Sequence, residues 1–460
     1  MIRRSPLVFL ALLFATSLLR VAEPDTPWYL RTGSLLLDQR ALPRIDPLSF
    51  TSQQPWLNHE WLSEVLLALT YRAGGFLGLA LLQAALLVAT LALLMGARPP
   101  RGMALLAGVA GGLILRETIA LRAQLFSNLL FAATLALALQ ADGDPRRERR
   151  LIWTLPVGLL WTQLHGGNPF PIVLLLLLWL ARPSRGRALI TLLAAIASCL
   201  GPYGWHVHKH FLQARSTLPE IVEWHPLTSA LAPGAPLAWG FLGLVLAAAA
   251  ALLVRRRHGE NVRFEALALL CFVLGAVRYV RFVQEATLVA SAALAPALAA
   301  WRRPAWQSLA AALGLVGLAA LASERRWGIG FDPARFPIAA VDYLRRTHPP
   351  GPLFNSYNFG GYLLFAYPEE RVFVDGRAFT VYSEAHLREL IDVYAQPERF
   401  ARMEERYGLR LALVKRSGRG AGLVEYLRRR SDWALTYEDR LALVFEKRAP
   451  GFPTDRVTRP

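Results

Sequence analysis

Three carboxylates are candidates for chemistry in the polar segment that follows the first apolar block of the sequence. Asp25 begins the run DTPWYLRTG, Asp46 lies in LPRIDPLSF, and Glu60 lies in NHEWL. A carboxylate within hydrogen-bond reach of a hydroxyl group can accept its proton while the oxygen attacks an electrophile. These residue types suit a general base, so the segment from 23 to 60 is where chemistry is first expected.

Further polar groups border the apolar blocks of the chain and form a second set of candidates, for substrate binding. They are His59, Arg116, Glu117, Arg122, His165, Asn168, Lys209, Glu223, Arg278 and Arg281. Ionisable groups at membrane depth are costly, and their presence therefore indicates function. The forked donors of arginine match a phosphate group, which makes the basic members candidate phosphate contacts.

Structural interpretations of several of these groups stay open. Arg278 and Arg281 could be snorkelling side chains at a helix end, and His165, which precedes two glycines, could cap a helix. The histidine-rich run HVHKH (206–210) indicates a solvated loop rather than a metal site, because no cysteine or compact second carboxylate accompanies it. The sequence requires no cofactor and leaves a divalent metal open.

The elements that must position these groups are membrane helices. Hydrophobic residues make up 54% of the 460 residues against 18% charged, and they are concentrated in leucine- and alanine-rich blocks between residues 7 and 321. Such blocks predict a polytopic α-helical membrane protein. The first block follows Arg3 and Arg4 without a clear cleavage site, so it is interpreted as an uncleaved first helix.

The distribution of the net charge of +18 orients the helices. Arginines cluster in short loops around residues 98–101, 146–150, 182–187, 255–257 and 302–303. Short loops loaded in this way mark the cytoplasmic side. A nucleic-acid partner is not predicted, since the basic residues do not form one soluble face with interleaved aromatics.

About eleven crossings satisfy this orientation, with the N-terminus inside and the C-terminus outside. They are predicted near 6–22, 76–96, 102–116, 125–140, 151–164, 169–182, 187–202, 236–254, 264–280, 283–300 and 304–322. The block from 61 to 73 is too short to cross and ends in two glycines, so it predicts a helix lying in the interface. The polar segments without arginine runs then all fall outside, which predicts one external site.

The predicted domains are a transmembrane domain (1–322) with a long first external loop (23–60), and a soluble external α/β domain (323–460). The last segment has no block long enough to span and alternates strand-like and helix-like patterns. Two of its motifs, NSYNFGGYL and FVDGR, could mark a site at strand ends. The alternative is turn chemistry, with Gly360 and Gly361 at positive φ and Asp375-Gly376 in a tight turn.

The order of motifs resembles the C-type glycosyltransferase superfamily. Asp25 directly follows the first helix, and Gly33, LPRIDPLSF and NHEWL come after it, in a layout similar to that of aminoarabinose and protein mannosyl transferases. The resemblance implies that Asp25 is the catalytic acidic residue. Many members carry a second acidic residue next to it, where this chain has Thr26, so Asp46 and Glu60 stay as alternatives. A membrane core with an external C-terminal domain also looks like oligosaccharyl transferases, whose Trp-Trp-Asp motif is absent.

The resemblance implies transfer of a sugar from a polyprenyl-phosphate-linked donor to a lipid, glycan or protein acceptor. The expected location is the bacterial inner membrane, in contact with membrane lipid, with the C-terminal domain on the periplasmic or extracellular side and a role in the cell envelope. Two other functions stay open. A cell-envelope scaffold would keep the topology without needing Asp25, and a lipid or polysaccharide transporter would call for an internal repeat, which the halves do not show.

Overall fold

The computed structural model describes residues 5–52, 55–97, 104–213, 224–230, 236–299, 327–448 and 458. These residues belong to two compact units. The first unit comprises Met1–Arg20, Ala73–Ser216 and Ile221–Ile329, and the second comprises Val21–Arg72 and Gly330–Pro460. The segment that follows the first helix therefore belongs to the same unit as the C-terminal part of the chain, although some 250 residues of sequence separate them.

The first unit is helical. Its helices are α1 (Ser5–Thr16), the later part of α3 (Trp61–Ala97), α4 (Ala104–Thr118), α5 (Gln124–Gly143), α6 (Thr154–Leu164), α7 (Phe170–Ala181), α8 (Arg185–Ala197), α9 (His206–Gln213), α10 (Pro236–Arg257), α11 (Arg263–Arg278) and α12 (Val283–Ala299), with 3-10 turns at Pro145–Trp153, Leu227–Ala230 and Val280–Phe282. Leucine and alanine fill most of these helices, which therefore present apolar surface on most of their circumference, whereas α9 (HVHKHFLQ) is amphipathic.

Four helical stretches among the described residues are long and apolar enough to cross a membrane. They are Trp61–Ala97, Gln124–Gly143, Ala238–Arg257 and Val280–Ala299. Others are shorter than predicted: α1 ends at Thr16, and the predicted crossing 151–164 begins with a 3-10 turn, leaving α6 only 11 residues. The count of eleven crossings stays a prediction, and the crossing near 304–322 lies outside the described residues.

Helix α3 contains a break at Gly75. The backbone there has φ 56° and ψ −147°, a conformation open to glycine and strained for other residues. The two glycines that were predicted to end an interfacial helix thus end a straight helical segment, and the division between the two compact units falls beside the break, at Ala73. The interfacial position of residues 61–73 stays a prediction.

The second unit is built on a four-stranded sheet. Strands β1 (Leu353–Asn355), β2 (Leu411–Lys415), β3 (Trp433–Glu438) and β4 (Ala442–Lys447) lie in the order β1-β2-β4-β3, with β1 parallel to β2 and the other neighbouring pairs antiparallel. The helices of this part are α13 (Ile338–Thr347), α14 (Tyr357–Ala366), α15 (Glu384–Ala395), α16 (Phe400–Tyr407) and α17 (Gly420–Arg429). Strands β2 and β4 are apolar on both faces, which is why their residues are buried.

The N-terminal part of the second unit is α2 (Thr26–Gln39) and the irregular segment that follows it. Trp28, Thr32 and Leu36 recur every four residues and form part of the buried face of α2. The irregular segment packs along residues 372–382: Ser49 Oγ donates to the Val372 carbonyl at 3.0 Å and Thr51 Oγ1 donates to the Phe373 carbonyl at 2.6 Å. Two backbone hydrogen bonds join the same segments, from the Val372 N–H to the Leu48 carbonyl at 3.1 Å and from the Phe50 N–H to the Val372 carbonyl at 3.3 Å. The side-chain hydroxyls add to this short backbone pairing.

Candidate active site

Asp25 occupies the N-cap position of α2, directly before the helix begins at Thr26. Its side chain is half-buried, and Oδ1 accepts a hydrogen bond from Trp28 Nε1 at 3.0 Å. Pro27 in the first turn costs no helical hydrogen bond, because N–H groups at that point have no partner within the helix. The positive end of the helix dipole favours the ionised carboxylate at this position.

Three glycines of the C-terminal segment pack against the surroundings of Asp25. A Cβ at Gly376 would overlap Asp25 Oδ1 and lie 2.9 Å from Trp28 Nε1, and a Cβ at Gly361 would lie 2.6 Å from the Pro24 carbonyl. A Cβ at Gly360 would overlap the Val374 carbonyl. None of the three has a positive φ, so the prediction of positive φ at Gly360 and Gly361 is wrong: both lie in helix α14, and close packing is what requires glycine.

Glu60 and His59 lie at the other end of a short chain of contacts from Asp25. The Trp28 ring stacks on Tyr29 with centroids 3.9 Å apart, the Tyr29 hydroxyl donates to Glu60 Oε2, and Glu60 Oε1 lies 3.5 Å from His59 Nε2. The tyrosine hydrogen bond holds the Glu60 carboxylate in one orientation. Sequence reasoning named the two acidic residues but missed the stacked aromatic pair that connects them.

Asp46 is buried in an ion triad. Arg377 donates to both of its oxygens, with Nη1 to Oδ1 at 2.6 Å, and also donates to Asp375, with Nη2 to Oδ2 at 2.7 Å. All three side chains have 0% exposure. Asp46 also accepts from the backbone N–H groups of Leu48 and Ser49, as a turn-capping carboxylate does.

The electrostatics of the triad favour its charged form. Burial lowers the pKa of Arg377, but the charges of Asp375 and Asp46 outweigh it and raise the pKa well above its ordinary value. Tyr382 donates to Asp375 Oδ2 at 2.8 Å, and burial, followed by the Asp375 charge, raises the pKa of Tyr382 well above its ordinary value. The Arg377 guanidinium also lies over the Trp56 ring at 5.0 Å.

In the first unit, Arg116 is held at the end of α4. Its side chain has 0% exposure, donates through Nε and Nη2 to the Thr16 carbonyl at 3.3 and 3.0 Å, and pairs with Glu117 through Nη1. The Thr16 carbonyl is at the C-terminal end of α1, where helix carbonyls lack partners within the helix. The Arg116 guanidinium thus caps the C-terminal end of α1. Its phosphate-binding role stays a prediction.

His165 is fixed as one tautomer by its neighbours. The Gly167 N–H donates to His165 Nδ1 at 3.0 Å, and Ser127 Oγ, which accepts from Trp161 Nε1 at 2.5 Å, lies 2.9 Å from the same nitrogen. Because Nδ1 accepts a hydrogen bond, the proton of the neutral ring is on Nε2. His165 is therefore arranged as a hydrogen-bond donor through Nε2.

A buried amide and carboxylate cluster lies near the predicted group Arg116 to Gln124. Gln124 Nε2 donates to Glu285 Oε1 at 2.7 Å, Asn128 Nδ2 donates to Gln284 Oε1 at 2.6 Å, and Gln284 Nε2 donates to the Thr118 carbonyl at 2.7 Å. Glu285 was missed as a candidate, although an acid within an apolar block is the signal that could have found it.

The remaining basic candidates mostly face aromatic rings. Arg278 lies 4.6 Å from the Tyr279 ring centroid, Arg281 lies 4.5 Å from the Trp224 centroid, and Lys209 lies 5.7 Å from that of Trp205. A cation above an aromatic face keeps its hydrogen-bond donors available at the ring edge. These roles stay predictions.

The last candidates are placed as follows. Asn168 is buried and its Nδ2 lies 3.4 Å from the Ser198 carbonyl, and Arg122 stands in the turn before α5. Glu223 lies outside the described residues. In all, the second unit holds Asp25, Asp46, His59 and Glu60, and the first unit holds the other described candidates. Among the residues that the structure describes, no group of three or more His, Cys, Asp or Glu side chains could hold a metal ion.

The fold of this chain is similar to that of proteins whose structures have been solved. The archaeal oligosaccharyltransferase AglB from Archaeoglobus fulgidus, in complex with an inhibitory peptide and a dolichol-phosphate, aligns over 89% of this chain and 69% of its own, with a TM-score of 0.59 and 12% identity. The chain has the fold of this oligosaccharyltransferase. The same oligosaccharyltransferase tethered to an acceptor peptide with the NVT sequon aligns over 98% of this chain and 75% of its own, with a TM-score of 0.57 and 12% identity.

Sequence comparison adds no closer relative. No family model matches the sequence, and no curated protein matches it. At 12% identity the structural likeness establishes the fold, and the chemistry has to be argued from the residues of this chain.

Proposed function

We propose that the protein is a membrane glycosyltransferase that moves a sugar from a polyprenyl-phosphate-linked donor to an acceptor hydroxyl on the external side of the membrane, with Asp25 as general base. The observation that carries the proposal is the setting of Asp25. A half-buried carboxylate at the N-terminus of α2, the helix that follows α1 in the chain, is oriented by Trp28 on a fold shared with oligosaccharyltransferases. The dolichol-phosphate of the archaeal complex supports a lipid-phosphate donor.

The geometry favours Asp25 over the two other acidic candidates. Asp46 is buried, and its oxygens are engaged by Arg377 and two backbone N–H groups, which is the setting of a structural carboxylate. Glu60 accepts a hydrogen bond from the Tyr29 hydroxyl and lies beside His59, so it is the next candidate for the general base. A base must be reachable by substrate, and the half-buried Asp25 meets this condition.

The proposed step is a displacement at the anomeric carbon of the sugar. The acceptor oxygen forms a bond to that carbon while Asp25 takes the hydroxyl proton. The bond from the anomeric carbon to the phosphate oxygen breaks, and its electron pair leaves with the polyprenyl phosphate. The leaving phosphate gains negative charge, which arginine donors stabilise.

The phosphate contacts proposed from the sequence are Arg116, Arg122, Arg278 and Arg281, with Lys209 as a further cation. Arg278 is exposed and Arg281 half-exposed, which suits a charged ligand, whereas Arg116 is buried against Thr16 and Glu117. We rank Arg116 last among them for this reason. His165 would offer a neutral N–H donor to a sugar hydroxyl or a phosphate oxygen.

The deciding experiment measures transfer from polyprenyl-phosphate-linked hexoses and pentoses in membranes that contain the native acceptors. Asp25→Asn keeps the shape and removes proton acceptance, so turnover should fall on the order of 100-fold or more at normal expression. The matched control is Asp38→Asn on the same helix, whose side chain is 62% exposed and which should retain full turnover. Transfer that survives Asp25→Asn and fails in Glu60→Gln would reassign the base. Normal transfer in both variants would refute both residues as the base, and transfer no higher than in membranes without the protein would favour the scaffold function.

The external position of the second unit is a separate proposal with its own test. A reporter cysteine at Asp375 would break the buried triad, so the exposed Arg429, at 76%, is the better site. In a background without Cys199 and Cys271, Arg429→Cys should react with an impermeant thiol reagent in intact cells. Arg147→Cys should stay protected until lysis, and the reverse pattern would invert the topology.

A further inference from the structure

The segment FVDGR reaches Asp25 through a single residue, Gly376. A Cβ at this position would overlap Asp25 Oδ1, lie 3.0 Å from Asp25 Cγ and lie 2.9 Å from Trp28 Nε1. The φ of Gly376 lies outside the left-handed region, so its backbone conformation is open to any residue. Glycine is needed at this position because the carboxylate occupies the space that a side chain would fill.

The loop that carries Gly376 is firmly held on both sides. Asp375 before it and Arg377 after it are fully buried and bonded to each other, and Arg377 is bonded to Asp46. The Arg377 backbone N–H also donates to Asp375 Oδ1 at 2.9 Å. Moving the loop away from Asp25 would break charged hydrogen bonds in a dry interior, which is among the costliest changes a fold can make.

The opposite side of Asp25 is held by Trp28. The indole N–H donates to Asp25 Oδ1, the ring stacks on Tyr29, and Gly361 of helix α14 lets the helix approach: a Cβ there would lie 3.3 Å from Trp28 Cδ1. The same carboxylate oxygen is therefore both bonded by the indole and bordered by the loop.

We propose that Gly376 and Trp28 are positioning residues for the Asp25 carboxylate, and that the Asp46–Arg377–Asp375 triad acts on catalysis only by holding Gly376 in place. The inference rests on the proposed function of Asp25 as base. The sequence left open whether the motif FVDGR marks a site or a turn. Here its Gly376 positions a base that lies 351 positions earlier in the chain (376 − 25).

The substitution for the test is chosen by which neighbouring atom would have to move to admit a new Cβ. An alanine at Gly376 meets the end of the Asp25 side chain, which can rotate, whereas an alanine at Gly360 meets the Val374 backbone. Gly376→Ala should therefore fold and displace the carboxylate by on the order of 1 Å, a misplacement that costs roughly 100-fold in rate. Trp28→Phe keeps a ring on Tyr29 and removes the donor, and should cost about tenfold.

The experiment is a kinetic cycle on the full-length protein with polyprenyl-phosphate-linked hexose and pentose donors. Gly376→Ala and Trp28→Phe should lower kcat and leave the donor KM within about twofold, since the lost interaction acts on the reacting step. In the Asp25→Asn background neither change should reduce the residual turnover further, because both act through the carboxylate. Gly243→Ala, at an exposed helical glycine whose Cβ would meet no atom within 4 Å, is the control and should behave as wild type.

Several results would overturn the inference while leaving the proposed function intact. One is normal kcat in Gly376→Ala when Asp25→Asn is inactive, and another is a raised KM with unchanged kcat. A third is a loss of the same size in the Asp25→Asn background. Should Gly376→Ala not fold, Trp28→Phe decides by the same criteria. Normal transfer in Asp25→Asn, or no transfer by the wild-type protein, would refute the proposed function itself and with it the positioning role.

Discussion

Replacing Arg377 with methionine should destabilise the second unit far more than the loss of an exposed arginine. The guanidinium, Asp46 and Asp375 all have 0% exposure, so the substitution leaves two carboxylates buried together without a cation. Breaking a buried pair by removing one partner costs about 3–5 kcal/mol, because the desolvated charge that is left has no compensation. For a cooperative unit of this size the loss corresponds to a fall in Tm of roughly 6–20 °C.

The assay is thermal unfolding of the purified protein in detergent, with Arg429→Met as the matched control. Arg429 pairs with Glu425 one helical turn away at 76% and 59% exposure, so its loss should change the free energy of unfolding by about 0.5 kcal/mol or less. Adding Asp46→Asn to Arg377→Met removes one of the two uncompensated carboxylates and should recover part of the lost stability. Equal melting of the two methionine variants, or no recovery in the double variant, would refute the assignment of the triad as a charged, desolvated anchor.

Three further predictions concern other parts of the chain. Burial lowers the pKa of His386 to about 4, so the folded state binds this proton only at a lower pH than the unfolded state does. The free energy of unfolding should therefore be unaffected by this group above pH 6.5 and fall by about 3 kcal/mol as the pH drops to 4. In pH-dependent melting curves, His386→Phe should remove that loss. Gly33→Ala should cost about 1–3 kcal/mol or more in the same assay, because its Cβ would overlap the Glu64 carbonyl, while Gly243→Ala, whose Cβ would meet no atom within 4 Å, should be harmless. Arg278→Ala should weaken donor use by about 1.5–3 kcal/mol if the guanidinium holds the phosphate, with only partial rescue by lysine, and an unchanged donor KM and kcat would make Arg278 a snorkelling residue.

The sequence pattern predicted those helices and strands whose formation depends on neighbouring residues in the chain. The amphipathic stretch after Asp25 is helix α2, because Trp28, Thr32 and Leu36 share one face, and the paired glycines after residue 73 do interrupt a helix. The apolar runs RLALVKR and LALVFEK form strands β2 and β4, whose β-propensity and length both favour strand. The placement of Asp25 directly before a helix could also be predicted, since Pro27 marks a first turn.

What sequence reasoning missed depends on contacts between distant segments. Arg377 stands among many arginines, and nothing near it in sequence indicates that it is buried, because its partner Asp46 is 331 residues away. For Gly360, Gly361 and Gly376 the sequence left a site and turn chemistry both open, since a glycine needed for close approach has the same letter as one needed for positive φ. Only the fold shows which backbone or carboxylate each glycine admits.

The division of the second unit between the two ends of the chain has a consequence for biosynthesis. Asp46 and Arg377 are 331 residues apart, so at ordinary synthesis rates the ribosome needs roughly 15–70 s to make the partner of a carboxylate that has already emerged. During that interval the intervening apolar helices are made and can insert, while the Asp25 region has neither its loop nor its glycines. A nascent or truncated chain therefore lacks the assembled surroundings of Asp25, and the proposed activity can begin only once Gly360, Gly361 and Gly376 have been made.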